Sequence, residues 1–116
     1  MRNPERDEAI KREEAEAAKA NQERVEQQIA SKATLESALK DQDSAKYGDV
    51  VSHQLANGTF AFCGMVNARN GFGGYAGYQR FVATPSAAAT EEAGGATFRK
   101  TWNRVCTKPG DPVEMW

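Results

Sequence analysis

The sequence predicts an α+β fold: a long N-terminal helix, a small antiparallel sheet of about three strands, and a C-terminal helix packed on the sheet. Three observations carry that prediction. Residues 4–40 contain no glycine, and no proline after Pro4. Residues 47–83 alternate in β-strand fashion around the turn signals Asn57-Gly58 and Asn70-Gly71. From Ala96 onward, Phe98, Trp102, Val105 and Cys106 recur at helical spacing.

The first element is rich in Ala, Glu, Lys, Arg and Gln, which lose least freedom in a helix. Asp7 with Lys11, Glu8 with Arg12 and Glu36 with Lys40 place an acid four residues before a base, each pair worth about 0.2–0.5 kcal/mol. Apolar residues are sparse: Ile10 is isolated, and Val25, Ile29, Leu35, Ala38 and Leu39 gather toward the end. Only the last third of the helix is therefore expected to pack on a core, giving an arm over residues 1–34 and a compact domain over 35–116. The arm is expected to be a solvated helix, with a spacer or a helix-driven oligomerising arm as the alternative, and no sustained heptad supports a stable coiled coil.

Lys40 to Ser44 is a polar stop, after which Tyr47 to Leu55 reads as a first strand with Val50, Val51 and Leu55 as its apolar positions. Asn57-Gly58 favours a tight turn because both residues tolerate positive φ. Thr59 to Ala68 is a second strand, apolar on both faces: Phe60, Phe62 and Val66 on one, Ala61, Cys63 and Met65 on the other. A strand of that kind belongs in the middle of a sheet. Tyr75 to Ala83 supplies the third strand, and Thr84 to Gly95 reads as a low-complexity connector with room for a short helix over residues 87–93.

Composition removes several function classes. The formal net charge is −1, and from Ser44 onward seven Lys/Arg face five Asp/Glu, so the basic excess expected of a nucleic-acid binder is missing. No run approaches the roughly 18 apolar residues of a membrane span, and no signal-peptide core follows Met1 to Asp7, so no membrane insertion is expected of the chain as written. With one histidine, His53, and no C-x-x-C spacing, neither metal nor any other cofactor is expected. No acid, base and nucleophile are brought together, which points away from an enzyme.

Two cysteines remain, Cys63 in the middle strand and Cys106 on the apolar face of the last helix. Bridged, they close a loop of about 44 residues, a constraint of roughly 4 kcal/mol in the chain-entropy model. Unbridged, they are two buried thiols. A bridge implies an oxidising compartment, periplasmic or membrane-tethered if an anchor has been removed; without it a cytoplasmic location is expected.

The segment from Cys63 to Phe81 holds the candidate binding surface, since Arg69, Phe72, Tyr75, Tyr78 and Arg80 are residue types enriched in interface hot spots. Its glycines lack the strand-to-helix setting and the lysine of a phosphate loop. The alternative is a polar-ligand pocket built on Asn67, Asn70, Tyr75 and Tyr78.

The series Leu39-Lys40-Asp41-x-Asp43-Ser44-Ala45-Lys46-Tyr47, then Cys63-Gly64-x-Val66-Asn67-Ala68-x-Asn70-x-Phe72-Gly73-Gly74-Tyr75-x-Gly77-Tyr78, then Trp102-x-x-x-Cys106, resembles a group of small bacterial and phage-associated proteins. Their pattern runs approximately LKDPxSAKF, CGxVNAKNxFGGYxGF, W and C, with Gln42 here where proline is common. The resemblance implies a compact domain with the cysteines bridged and an envelope setting, and it brings no catalytic activity with it. Together these readings predict a non-enzymatic module that binds another protein as an accessory or inhibitory factor.

Overall fold

A computed structural model describes residues 3–69, 74–75 and 77–116. Helix α1 (Pro4–Ala38) is opened by Asn3, whose side chain accepts from the N–H groups of Glu5 and Arg6, with Pro4 at the position where a missing N–H costs nothing. A short 3-10 turn (Gln42–Ser44) follows. Strands β1 (Lys46–Gln54), β2 (Phe60–Asn67), β3 (Gln79–Ala83) and β4 (Ala88–Thr90) lead to helix α2 (Glu91–Val105), and the two-residue strand β5 (Asp111–Pro112) comes last. The sheet order is β4-β3-β2-β1-β5, with every described pairing antiparallel. β2 is the central strand, as its two apolar faces predict.

The described sheet therefore has five strands where about three are predicted from sequence. β4 lies inside the connector, where Ala88 and Ala89 carry no strand signal of their own and are drawn into the ladder by pairing with Val82 and Ala83 of β3. β5 is only Asp111 and Pro112, too short for any period to show. The last helix also starts earlier than Ala96: Thr90 caps it by accepting from the Ala93 N–H, and Gly95, at φ 55° and ψ −129°, breaks the helical path just before Ala96.

A helix covers each face of the sheet. On one side Leu35 of α1 packs with Val50, Phe62, Val66, Phe81 and Ala83; on the other, Phe98 of α2 packs with Cys63 and Val82, flanked by Trp102, Val105 and Cys106. Cys63 and Cys106 are bridged, with their Cα atoms 5.8 Å apart, so α2 is fastened covalently to the central strand.

Gly64 sits mid-strand for a steric reason. β1 bulges at Asp49 and Val50 opposite it, and a Cβ at position 64 would come within 3.1 Å of the Val50 Cα and of the Phe81 ring.

α1 packs from Gln27 onward: Leu35 enters the core and Leu39 packs against it as expected, while Val25 and Ile29 do not. Val25 is 43% and Ile29 67% exposed, whereas Ser31 and Leu35 are fully buried. The packed face is largely polar and serves the sheet backbone and its connections: Gln27 accepts from the Phe60 N–H (2.7 Å), and the Thr34 hydroxyl donates to the Pro85 carbonyl (2.9 Å). Residues 4–26 project from the domain as a helix about 35 Å long at 1.5 Å per residue, and the whole molecule is 69 Å along its longest axis. Among the described residues no helix is long and apolar enough to cross a membrane.

Candidate functional site

The candidate surface is built where the ends of α1, β2 and α2 meet. Ala38, Leu39 and Lys40 form one wall, Ala68 and Arg69 a second, and Thr90, Glu92 and Ala93 a third, around an open cleft of about 490 Å3 with Tyr78 and Gln79 also lining it. The lining is mixed in charge, with Lys40 and Arg69 opposite Glu92.

Of the predicted residues, Arg69 and Tyr78 line this cleft, and Tyr75 stands beside it as the ladder partner of Arg69. Arg69 is ladder-paired with Tyr75 through an isolated antiparallel bridge, and its Nε lies 3.5 Å from Asp41 Oδ2. Its main-chain N–H donates to the Ser44 hydroxyl (2.9 Å), which in turn donates to the Asp41 carbonyl (2.8 Å). Tyr75 is 43% exposed yet held at both ends: its hydroxyl donates to the Ser44 carbonyl (3.0 Å), and the Lys46 ammonium sits 4.7 Å from its ring centre. Tyr78 is 54% exposed on the cleft wall. Ser44 is thus the organising residue, tying the 3-10 turn to the segment after β2, and the sequence marked it only as one position of the Asp43-Ser44-Ala45-Lys46 run, with no sign of this role.

Arg80 is engaged elsewhere. Residues alternate along β3, so Phe81 faces α1 while Arg80 and Val82 face α2. The Arg80 guanidinium forms a two-nitrogen contact with Glu91 Oε2 (2.7 and 3.2 Å) and lies 4.9 Å from the Trp102 ring centre and 5.7 Å from that of Phe98. Its hydrogen bonds hold the Glu91 carboxyl below the usual carboxylate range. Glu91 and Arg80 thereby join the first turn of α2 to β3. The Glu92 N–H, which donates to Gln79 Oε1 (2.9 Å), is a second tie at the same place.

Phe72 and Asn70 lie outside the described residues. Asn67 ends β2, and its Oδ1 is buried with no hydrogen-bond partner among the described residues. His53 is buried, 6% exposed, with neither ring nitrogen hydrogen-bonded among the described residues, beside a smaller cleft of about 260 Å3 that Arg104 and Lys108 help to line. A Cβ on Gly110 would meet the His53 ring at 2.7 Å, so this imidazole serves as the packing surface for a close backbone crossing.

The residue that sequence reasoning missed altogether is Trp116. Its ring lies 5.2 Å from Phe62, 5.7 Å from Phe81 and 5.9 Å from Tyr47, partly buried against the core between α1 and the sheet. Tyr47 donates to Glu36 (3.4 Å), and burial first, then the Glu36 charge, pushes its hydroxyl up to about 12.

As chemistry, the cleft offers one tyrosine hydroxyl, that of Tyr78, two cations and one carboxylate. Compared with protein-family models, curated proteins and solved structures, the chain matches none of them.

Proposed function

We propose that the protein is a non-enzymatic binding module that grips another protein through Arg69, Tyr75 and Tyr78 at the mouth of the cleft. The observation that carries this reading is Tyr75: an exposed aromatic whose hydroxyl and ring are both held in place by the domain's own groups. A preorganised aromatic loses little freedom on binding, which is why tyrosine and arginine dominate interface energetics. Arg80 supports the surface from behind by fixing α2. The bridge suits an oxidising compartment, and the resemblance to small bacterial and phage-associated proteins suits an accessory or inhibitory factor at the envelope. A second reading, a polar-ligand site, draws on the cleft's volume, which falls in the range of small-molecule pockets.

The test uses the full chain with a photo-crosslinking residue at position 75 or 78, and at Lys100 as a control. One and the same protein should be trapped from both sites and not from the control. Tyr78→Ala and Arg69→Ala should each weaken binding of that purified protein about tenfold or more, equivalent to about 1.4 kcal/mol, with the thermal midpoint unchanged. Binding that survives both substitutions removes the surface from consideration, and the ligand reading takes its place.

A further inference from the structure

Residues 111–116 are seated in a groove that holds their backbone from two walls and the Trp116 side chain between them. β5 adds to the outer edge of β1, pairing Asp111 with Ser52 and Pro112 with Val51, and the Val113 N–H donates to the Val50 carbonyl (2.8 Å). From the opposite wall, α1 contributes Gln28, whose amide donates to the main-chain oxygen of Met115, and Lys32, whose ammonium donates to that of Trp116 (3.2 Å). Between the walls the rings of Tyr47, Phe62 and Phe81 receive the Trp116 side chain. A sheet edge, side chains that hold main-chain oxygens and one aromatic socket are the components by which a groove takes an extended peptide as an added strand.

The segment is lightly held along its length. Only two residues are in the ladder, and of residues 107–116 only Val113 and Trp116 are partly covered. Segments with few buried contacts and short ladders open at low free-energy cost. The chain before it is fixed, because Cys106 is bridged to β2, and residues 107–110 form an exposed connection that can act as a hinge.

We propose that this groove is a peptide-docking site that the protein's own segment 107–116 fills in cis, and that the same segment of a second copy fills in trans. Identical residues then meet the identical socket, the condition for strand exchange between copies. In the resting chain the tethered segment acts at millimolar effective concentration, so an added peptide competes poorly until the cis segment is displaced.

Gly110 gives a way to displace it without touching the groove. A Cβ at that position would come within 2.6 Å of the Ser52 carbonyl oxygen and 2.7 Å of the His53 ring, so Gly110→Val levers the segment off β1 while α1, Tyr47, Phe62 and Phe81 are unchanged. A fluorescent peptide of residues 107–116 is titrated, by polarisation, against the full-length wild type, Gly110→Val and Trp116→Ala chains. Saturable binding at least about tenfold tighter to both variants than to wild type is expected, lost when the peptide itself carries Trp116→Ala. Absence of saturable binding to either variant overturns the proposal. So does a chain that cannot fold when its segment is displaced by either substitution, since a groove that collapses when empty offers no site. An unrelated extended peptide carrying one tryptophan that binds equally well overturns the assignment to a second copy and makes the groove a general peptide site.

Discussion

The two faces of the sheet are closed by different means. On the α1 face, Phe62, Phe81, Val66, Val50 and Leu35 form a continuous apolar cluster into which Trp116 is added, with no covalent tie. On the α2 face, the buried cluster is only Cys63, Val82 and Phe98, and the disulfide runs through it. Fully burying a large apolar side chain contributes about 1.5–3 kcal/mol, so the α1 face can hold its helix by burial. The α2 face, poorer in such residues, needs the constraint of the bridge and the Arg80 contacts with Glu91 and Trp102. The lesson is that the covalent staple stands where burial is smallest.

The sharpest way to break this comparison is to remove the bridge. Cys63→Ser, Cys106→Ser or reduction of the wild type should lower unfolding free energy by about 2–5 kcal/mol, with the entropic share near 4 kcal/mol, read from the urea midpoint. The α2 face should open first, so the environment of Trp102 should change before that of Trp116. Simultaneous loss of both would mean that the two faces form one cooperative unit.

Arg80→Ala tests the polar half of the same closure. It leaves Glu91 without its guanidinium and uncovers the Trp102 ring, and a lower thermal midpoint is expected, by less than in the bridge variants because the ion pair is partly exposed. Because Glu91 is held low in the folded chain, its contribution is present above the ordinary carboxylate range and fades as pH falls below it. The gap between wild type and Arg80→Ala should therefore narrow in acid.

The α1 face carries its own titration. Tyr47 is raised from 10.0 to about 12 in the folded chain, chiefly by burial. A raised value stabilises the fold below the unfolded value, and that stability is lost as pH climbs through 10 to 12. Wild type should lose stability over this window by a margin that Tyr47→Phe does not show, seen in denaturant midpoints at pH 9 and pH 11.5.

The smallest effect belongs to the projecting half of α1. Deleting residues 3–24 removes no residue of the described core, and the unfolding free energy of the remainder should stay within about 0.5 kcal/mol of the full chain while far-ultraviolet helicity falls. A fall in solution mass beyond that of the deleted residues would reveal assembly through the arm.

Much of this architecture was legible in the residues. The glycine-free charged run determines α1, two-sided apolar alternation places β2 at the centre of the sheet, and the Phe98, Trp102, Cys106 spacing presents one face of α2. These are local signals, set by backbone propensity and by the 2.0 and 3.6 residue periods. The candidate surface was legible in part: Arg69, Tyr75 and Tyr78 were marked by residue type, but type cannot show that Arg80 turns toward α2 or that Ser44 ties the surface together. Tertiary structure alone decided β4, β5 and the seating of Trp116, because short strands with no period of their own form only where a neighbouring edge accepts their hydrogen bonds. It also decided that Gln27, Gln28 and Lys32 flank Leu35 on the packed face of α1 while Ile29 stays exposed. Hydropathy ranks side chains by their cost in water, whereas Gln27, Gln28 and Lys32 are placed by the main-chain groups they bond, and those are in position only once the sheet and the last segment have formed.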